Sequence, residues 1–300
     1  MKQISRIMVA NDSLDGLAEA LQKAALVEHY SGANIDVVAV VYDTIAEEPP
    51  EVLPRDQQAR LMEAMKAAER TGLRHLIEPL KSRVASIEPQ VLWGKQADQS
   101  ILSELGSSAD QLLIKPVSQH HQLADYFQTP LDWALMREAP CAVLISKGAG
   151  WAQPEHVLAA VDVADVAHDA LCREILLTAA TLANVLGTDL HIATAYPSLG
   201  QSVDELQVAM DYEGIKQDMR DSRAQAVDRW VKELSLEVAE VHLLEGKPSE
   251  VIPDLSNRLE ATVTVLGTAA RKGLKKLLFG NTAETLIGRV HGDIVTVREP

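Results

Sequence analysis

The chain has 300 residues, enough for about two domains of ordinary size. Hydrophobic residues make up 47% of the chain and charged residues 24%, as is typical of a globular protein. The formal net charge of −15 disfavours nucleic acid and anionic membrane surfaces as partners, and no apolar run approaches the roughly 20 residues that span a bilayer.

The N-terminal segment and the cysteines bear on location. Residues 1–12 become charged too early for the apolar region of a secretion signal. The two cysteines, Cys141 and Cys172, form no CxxC motif and no disulfide framework, and both lie in patterns typical of core segments. We therefore expect a cytoplasmic protein with inert, buried thiols.

The two halves of the chain repeat the same series of predicted elements. Each half begins with an apolar strand that ends in an acidic residue, Asp12 or Asp162. The predicted strands are residues 7–12, 35–42, 87–93, 111–114 and 141–145, then 157–162, 190–196, 237–244, 262–266 and 293–297. The predicted helices are residues 17–30, 56–80 and 97–105, then 167–186, 203–234 and 249–259.

Strands that alternate with helices predict a parallel sheet with both faces covered. The expected fold class is α/β, with two tandem five-stranded, parallel, doubly wound, Rossmann-like domains. We place the domains at residues 1–148 and 156–300, joined by a glycine- and proline-containing linker at 149–155. In such sheets, ligands bind beyond the carboxyl ends of strands, where the strand order reverses.

Residues 263–284 contain the most informative pattern in the chain. A short apolar strand leads to Gly267, which is predicted to open a loop that closes at Gly280. A helix is then predicted from Asn281, which is a good N-cap residue, and Glu284 completes a capping box. Free backbone N–H groups and the helix dipole favour an anion at such a position.

The same loop is basic, with Arg271, Lys272, Lys275 and Lys276. These side chains either form a phosphate-binding cluster or are solvated charges on an acidic protein. Sequence alone leaves both interpretations open.

This stretch resembles the nucleotide loop of universal stress proteins, which reads Gly, two residues, Gly, nine residues, Gly, and then Ser or Thr. Gly267 and Gly280 match the first and third glycines, and Ala270 replaces the second. Asn281, beside Thr282, replaces the Ser or Thr. The resemblance extends over the whole chain and is to the tandem-domain E type of the family.

The resemblance implies a role in the general stress response as a non-catalytic, ligand-binding and regulatory module. It implies no required cofactor, but ATP or another adenine nucleotide is possible in the C-terminal domain. Ala270 adds a methyl group to a tight backbone wrap, and Asn281 lacks the hydroxyl, so both count against a nucleotide. The implied cofactor-binding residues are Asp162, Gly246, Gly267, Thr268, Arg271, Gly280, Asn281 and Thr282.

The corresponding loop of the N-terminal half has no glycine. When the halves are aligned, Lys115 stands opposite Gly267 and Gln128 stands opposite Gly280. Glycine lets a backbone approach phosphate closely, so we expect this half to be degenerate for nucleotide. It would then serve structure or bind a more apolar ligand.

Sequence motifs for catalysis and metal binding are lacking. The chain has no P-loop, no GxGxxG fingerprint, no GxSxG elbow and no HExxH motif, and no general base is placed near a nucleophile. The adjacent pair His120 and His121 is expected at the surface rather than at a metal, so no metal site is predicted. We expect a non-enzyme.

Two other functions stay open. One is an ATP-binding switch or weak ATPase in the C-terminal domain, and the other is a carrier of a small apolar metabolite in the N-terminal domain. The resemblance also implies that the two domains pair through their final strands and that two chains form a homodimer, whereas neither nucleic acid nor membrane is expected as a partner.

Overall fold

The computed structural model describes residues 3–11, 16–117, 130–148, 150–198, 212–268 and 281–299, with only the backbone at 212 and 281–284. The chain divides into two compact units, Gln3–Gly150 and Trp151–Pro300. In the part of the chain that the structure describes, no helix combines the length and apolar character needed to cross a membrane.

The N-terminal domain is a parallel sheet covered by helices. Its strand order is β3-β2-β1-β4-β5. The elements in chain order are β1 (Arg6–Asn11), α1 (Leu17–Ser31), β2 (Asn34–Val41), α2 (Arg55–Ile77), β3 (Ile87–Trp93), α3 (Ala97–Leu105), β4 (Gln111–Pro116), α4 (Pro130–Glu138) and β5 (Ala142–Ser146).

The C-terminal domain repeats this plan, with strand order β10-β9-β6-β7-β8. Its elements are β6 (His156–Ala160), α5 (Asp169–Leu186), β7 (Asp189–Tyr196), α6 (Tyr212–Glu233), β8 (Glu240–Glu245), α7 (Pro248–Arg258), β9 (Ala261–Thr268), α8 (Asn281–Arg289) and β10 (Asp293–Arg298). The predicted α/β class, with two tandem doubly wound domains, is confirmed.

The local sequence explains the main elements. The central strands are buried on both faces, so they read as continuous apolar runs rather than as an alternation, as in Ile7 to Ala10 of β1. Helices α1 and α5 end at Gly32 and Gly187, whose φ angles of 67° and 63° are left-handed, as predicted for C-caps.

Several predicted bounds differ from the structure, and two of the differences have a local cause. Helix α2 ends at Ile77 and continues as one 3-10 turn, because Pro79 has no N–H to donate to the helix. Strand β8 begins at Glu240 rather than at residue 237, because Ser235 has a positive φ in the turn that leaves α6. Residues 203–211 of the predicted long helix lie outside the described residues.

The segment between the domains is anchored at its start. Trp151 is buried, and its indole N–H donates a 2.8 Å hydrogen bond to Oδ2 of Asp293 at the start of β10. This tryptophan therefore packs as part of the C-terminal domain.

In each sheet, the chain first adds two strands on one side of the starting strand and then crosses to the other side. The strand order therefore reverses between β1 and β4, and again between β6 and β9. We call these two positions the N-terminal and C-terminal switch points, and they are where ligands are expected in this architecture.

Candidate functional site

The C-terminal switch point is formed by the ends of β6 and β9. Their register pairs Ala160 with Leu266, so the residues that leave β6 after Ala160 lie beside the last two residues of β9. Asp162 is one of them, and its carboxylate accepts a 3.2 Å hydrogen bond from the N–H of Ala164. Nδ1 of His168 lies 3.2 Å from the other carboxylate oxygen. The side chain of Asp162 is still 62% exposed, so it can accept further hydrogen bonds from a ligand.

Gly267 and Thr268 do not open a loop, contrary to the prediction. Strand β9 continues through both, and Gly267 pairs with Val297 and Thr268 with Arg298. The Thr268 hydroxyl donates a 3.3 Å hydrogen bond to the carbonyl of Val297. Pairing with β10 extends β9 by these two residues, so they border the switch point as part of the sheet and not as part of a loop.

Helix α5 explains the glycine at position 267. A Cβ atom there would lie 2.6 Å from Cδ2 and 2.8 Å from Cγ of Leu171, a buried residue in the first turn of α5. Such distances are well inside van der Waals contact, so a larger residue would force the Leu171 side chain to move from its packed position. The first glycine of the loop pattern therefore has a packing role.

Gly246 forms the tight turn between β8 and α7. Its φ of 132° disfavours other residues, and a Cβ would lie 2.8 Å from Cγ1 of Val251. Its N–H donates a 2.9 Å hydrogen bond to the carbonyl of Tyr196, at the end of the neighbouring strand. The next residue, Lys247, is exposed, and its Nζ lies 3.6 Å from Oε1 of Glu250.

The remaining predicted contacts are only partly described. Arg271 and Gly280 lie outside the described residues. Asn281 and Thr282 form the first turn of α8, which begins at Asn281 as the capping pattern predicts. Among the predicted residues, Asp162, Gly246, Gly267 and Thr268 therefore have side-chain or backbone contacts that the structure describes.

The N-terminal switch point has a different chemistry. Lys115, the counterpart of Gly267, is fully buried in β4, and its ammonium donates a 2.7 Å hydrogen bond to the carbonyl of Pro116. Oδ1 of Asp132, which is fully buried in α4, lies 3.3 Å from the same Nζ. A second buried lysine, Lys23 of α1, donates to Oγ of Ser146 at the end of β5.

Buried charges are stable only when they are paired and hydrogen-bonded, so this polar cluster is a built feature of the N-terminal domain. In the sequence, Lys115 indicates only that a glycine is missing. Its position directly after the apolar run of residues 112–114 is the feature that could have predicted a buried lysine.

Known proteins match each of the two domains separately. The model of the universal stress protein family matches residues 3–147 and again residues 154–298. The chain belongs to the universal stress protein family. The predicted family and its tandem arrangement are thereby confirmed, and membership assigns this protein to the stress response.

Full-length relatives share the tandem arrangement. Universal stress protein E of Salmonella typhi is 26% identical over 301 residues, which cover 99% of this chain and 95% of the relative. The Universal stress protein E homolog of Haemophilus influenzae is 24% identical, with 96% and 94% covered. A crystal structure of a universal stress protein from Pseudomonas aeruginosa UCBPP-PA14 has a TM-score of 0.70 and 26% identity, with 99% and 94% covered.

One cysteine, Cys172, lies near the C-terminal switch point of this universal stress protein. The thiol of Cys172 donates a 3.2 Å hydrogen bond to the carbonyl of Asp162. Burial, helped by the charges of Asp162 and Asp169, raises the pKa of Cys172 to about 11, so the thiol is protonated near neutral pH. Cys141 is also buried, as predicted.

Proposed function

We propose that the C-terminal domain of this universal stress protein binds an adenine nucleotide at its switch point, and that the chain acts as a non-catalytic, regulatory module in the stress response. One observation carries the proposal: equivalent positions hold a glycine in one domain and a fully buried lysine in the other. Ligand binding is thereby assigned to one half of the repeat.

Three features of the C-terminal switch point support this assignment. Asp162 presents an exposed carboxylate that can accept hydrogen bonds from ribose hydroxyls or an adenine amino group. Gly267, next to the last residue of β9, lets the strand backbone pack closely against α5 at the switch point. Helix α8 begins at Asn281, directly after the loop, and its free N–H groups and dipole favour phosphate.

The N-terminal switch point supports the assignment from the opposite direction. Lys115 and Asp132 fill the corresponding position with a buried ion pair, which serves structure. A charged interior also argues against a small apolar ligand at that point.

The non-catalytic part of the proposal rests on protonation. The buried thiol of Cys172 is held neutral beside the switch point. Asp162 already accepts a backbone N–H and faces His168, so it acts as a binding group. The remaining expectations belong to the same proposal: a cytoplasmic location and domains at residues 1–148 and 156–300 from the sequence, and a homodimer from the resemblance.

Calorimetric titration of the full chain with Mg²⁺-ATP tests nucleotide binding. We expect micromolar affinity for wild type and no measurable heat for Gly280→Trp, which places a bulky side chain in the loop. Asp162→Asn removes a charged acceptor and should weaken binding about tenfold or more. Asp228→Asn, an exposed change of the same charge on α6, is the matched control and should bind like wild type.

Two results would overturn the proposal. Absence of heat up to millimolar nucleotide would remove the C-terminal site, and unchanged binding by Gly280→Trp would place the nucleotide elsewhere. A separate assay tests the non-catalytic part of the proposal. The rate of phosphate release from ATP with the protein present should equal the rate in buffer alone. ATP hydrolysis that is lost in Asp162→Asn would show instead that the protein is an ATPase.

A further inference from the structure

Three histidines lie side by side at the end of the C-terminal sheet that is opposite the switch point. His156 is the first residue of β6, His191 is in β7 and His242 is in β8. The strand register pairs His191 with Leu158 on one side and with Glu240 on the other. Because residues two apart on a strand share a face, all three imidazoles and Glu240 lie on one face of the sheet.

The side chains of this cluster are in close contact. Nδ1 of His191 lies 2.9 Å from Nε2 of His242, and the two rings are stacked with centroids 5.2 Å apart. Oε1 of Glu240 lies 3.6 Å from Nδ1 of His242. Donor atoms of His191, Glu240 and His242 all lie within 4.8 Å of one another.

Packing alone explains this cluster poorly. His191 is only 6% exposed, and its Nε2 has no hydrogen-bond partner among the described residues. The same holds for Nδ1 of His156, whose ring centroid lies 4.6 Å from that of His191. A buried imidazole nitrogen without a partner costs stability, so two such nitrogens in one row of histidines indicate a role beyond filling space.

We propose that His191, His242 and Glu240 bind a divalent transition-metal ion of the zinc class. Two imidazoles and one carboxylate are donors that zinc accepts in a tetrahedral site, with a water at the fourth position. On one such ion, Nδ1 of His191 and Nε2 of His242 would be roughly 3.3 Å apart, given metal–nitrogen distances of about 2.0–2.1 Å. To bind one ion, this hydrogen-bonded pair must open by a few tenths of an ångström, and both rings must turn so that their lone pairs converge on the metal.

The charge of Glu240 also fits a cation. Its exposed carboxylate lies beside His242 and supplies negative charge that would compensate a bound divalent ion.

The site is separate from the nucleotide proposal because it lies at the amino ends of the strands. Sequence spacing did not reveal it, since His191 and His242 come from different strands 51 residues apart. The usable signal was local: Glu240 and His242 are two apart on a strand and therefore share a face.

Titration of the full chain with Co²⁺, followed by visible absorption, and with Zn²⁺, followed by calorimetry, tests the proposal. We expect one equivalent to bind wild type and to give the intense absorption of four-coordinate Co²⁺. His242→Gln should weaken affinity by about 100-fold and Glu240→Gln by about tenfold. His291→Gln, an exposed change in the same domain, should bind like wild type.

Other histidines are controlled by a double variant. His120→Gln with His121→Gln should keep the wild-type affinity and absorption, because neither residue belongs to the proposed site. The proposal is overturned if wild type shows no binding, if His242→Gln binds like wild type, or if this double variant loses the metal. Zn²⁺ should also raise the melting temperature of wild type but not of His242→Gln, a readout independent of absorption.

Discussion

Gly267 in β9 and Leu171 in α5 are packed so closely that a Cβ atom on the glycine would lie 2.6 Å from Cδ2 of the leucine. The two residues are far apart in the chain but meet at the C-terminal switch point. A motif glycine that sequence comparison assigns to phosphate binding thus has a second, structural requirement. Packing therefore constrains this glycine whether or not a nucleotide is bound.

This contact predicts that Gly267→Ala destabilises the protein without any ligand present. Over-packing of a tight core contact costs about 1–3 kcal/mol of unfolding free energy. Urea unfolding measures the change. Gly288→Ala in α8 is the matched control, because a Cβ there meets nothing within 4 Å, and it should raise stability by about 0.5 kcal/mol.

The leucine provides the second half of the test. If steric overlap is the cause, Leu171→Ala should relieve part of the cost of Gly267→Ala, so the double variant should lose less stability than the two single variants together. Additive losses would show that the glycine is needed for another reason, such as backbone conformation.

The ion pair at the N-terminal switch point predicts a strong asymmetry between single and double changes. Lys115→Met leaves Asp132 buried without its ammonium partner and should cost about 3–5 kcal/mol, and Asp132→Leu should cost a similar amount. The combined variant replaces both charges with apolar groups and should be more stable than either single variant. Urea unfolding of the three variants would contradict the proposed pairing if their losses simply added.

Cys172 should be almost unreactive in the folded protein. Its pKa of about 11 lies above the ordinary value of 9.0, mainly because the thiol is buried. In a Cys141→Ser background, alkylation at pH 8 should be far slower for the native chain than for the urea-unfolded chain. Comparable rates would show that the thiol is accessible and its pKa ordinary.

The same pKa difference affects stability at alkaline pH. The folded state holds the proton more tightly than the unfolded state, so the contribution of Cys172 is fully present below about pH 9. It decreases as the pH rises from 9 towards 11, because only the unfolded chain then readily loses the proton. In the Cys141→Ser background, Cys172→Ala should remove this part of the alkaline loss of stability.

The sequence predicts the repeated architecture well because each element carries its own signal. Apolar runs such as residues 7–10 and cap glycines such as Gly32 and Gly187 are local features, and the structure confirms them. The extension of β9 through Thr268 was not predictable, because it depends on pairing with β10. The same limit applies to the pairs Lys115–Asp132 and His191–His242, whose members meet only after the sheet has formed.

Two buried tryptophans of the C-terminal domain allow the contribution of one hydrogen bond to stability to be measured. The measurement compares the free energy of unfolding that is lost when each tryptophan is replaced. Trp151 is 6% exposed and donates to Oδ2 of Asp293, whereas Trp230 is 5% exposed and its Nε1 has no hydrogen-bond partner among the described residues. Replacement by phenylalanine removes a similar volume at both positions. Trp151→Phe also removes a donor from a buried carboxyl group, so it should cost about 1.5–3 kcal/mol more than Trp230→Phe in urea unfolding. Equal costs would show that the indole of Trp151 serves packing alone, and that the hydrogen bond to Asp293 adds little to the anchoring of this segment.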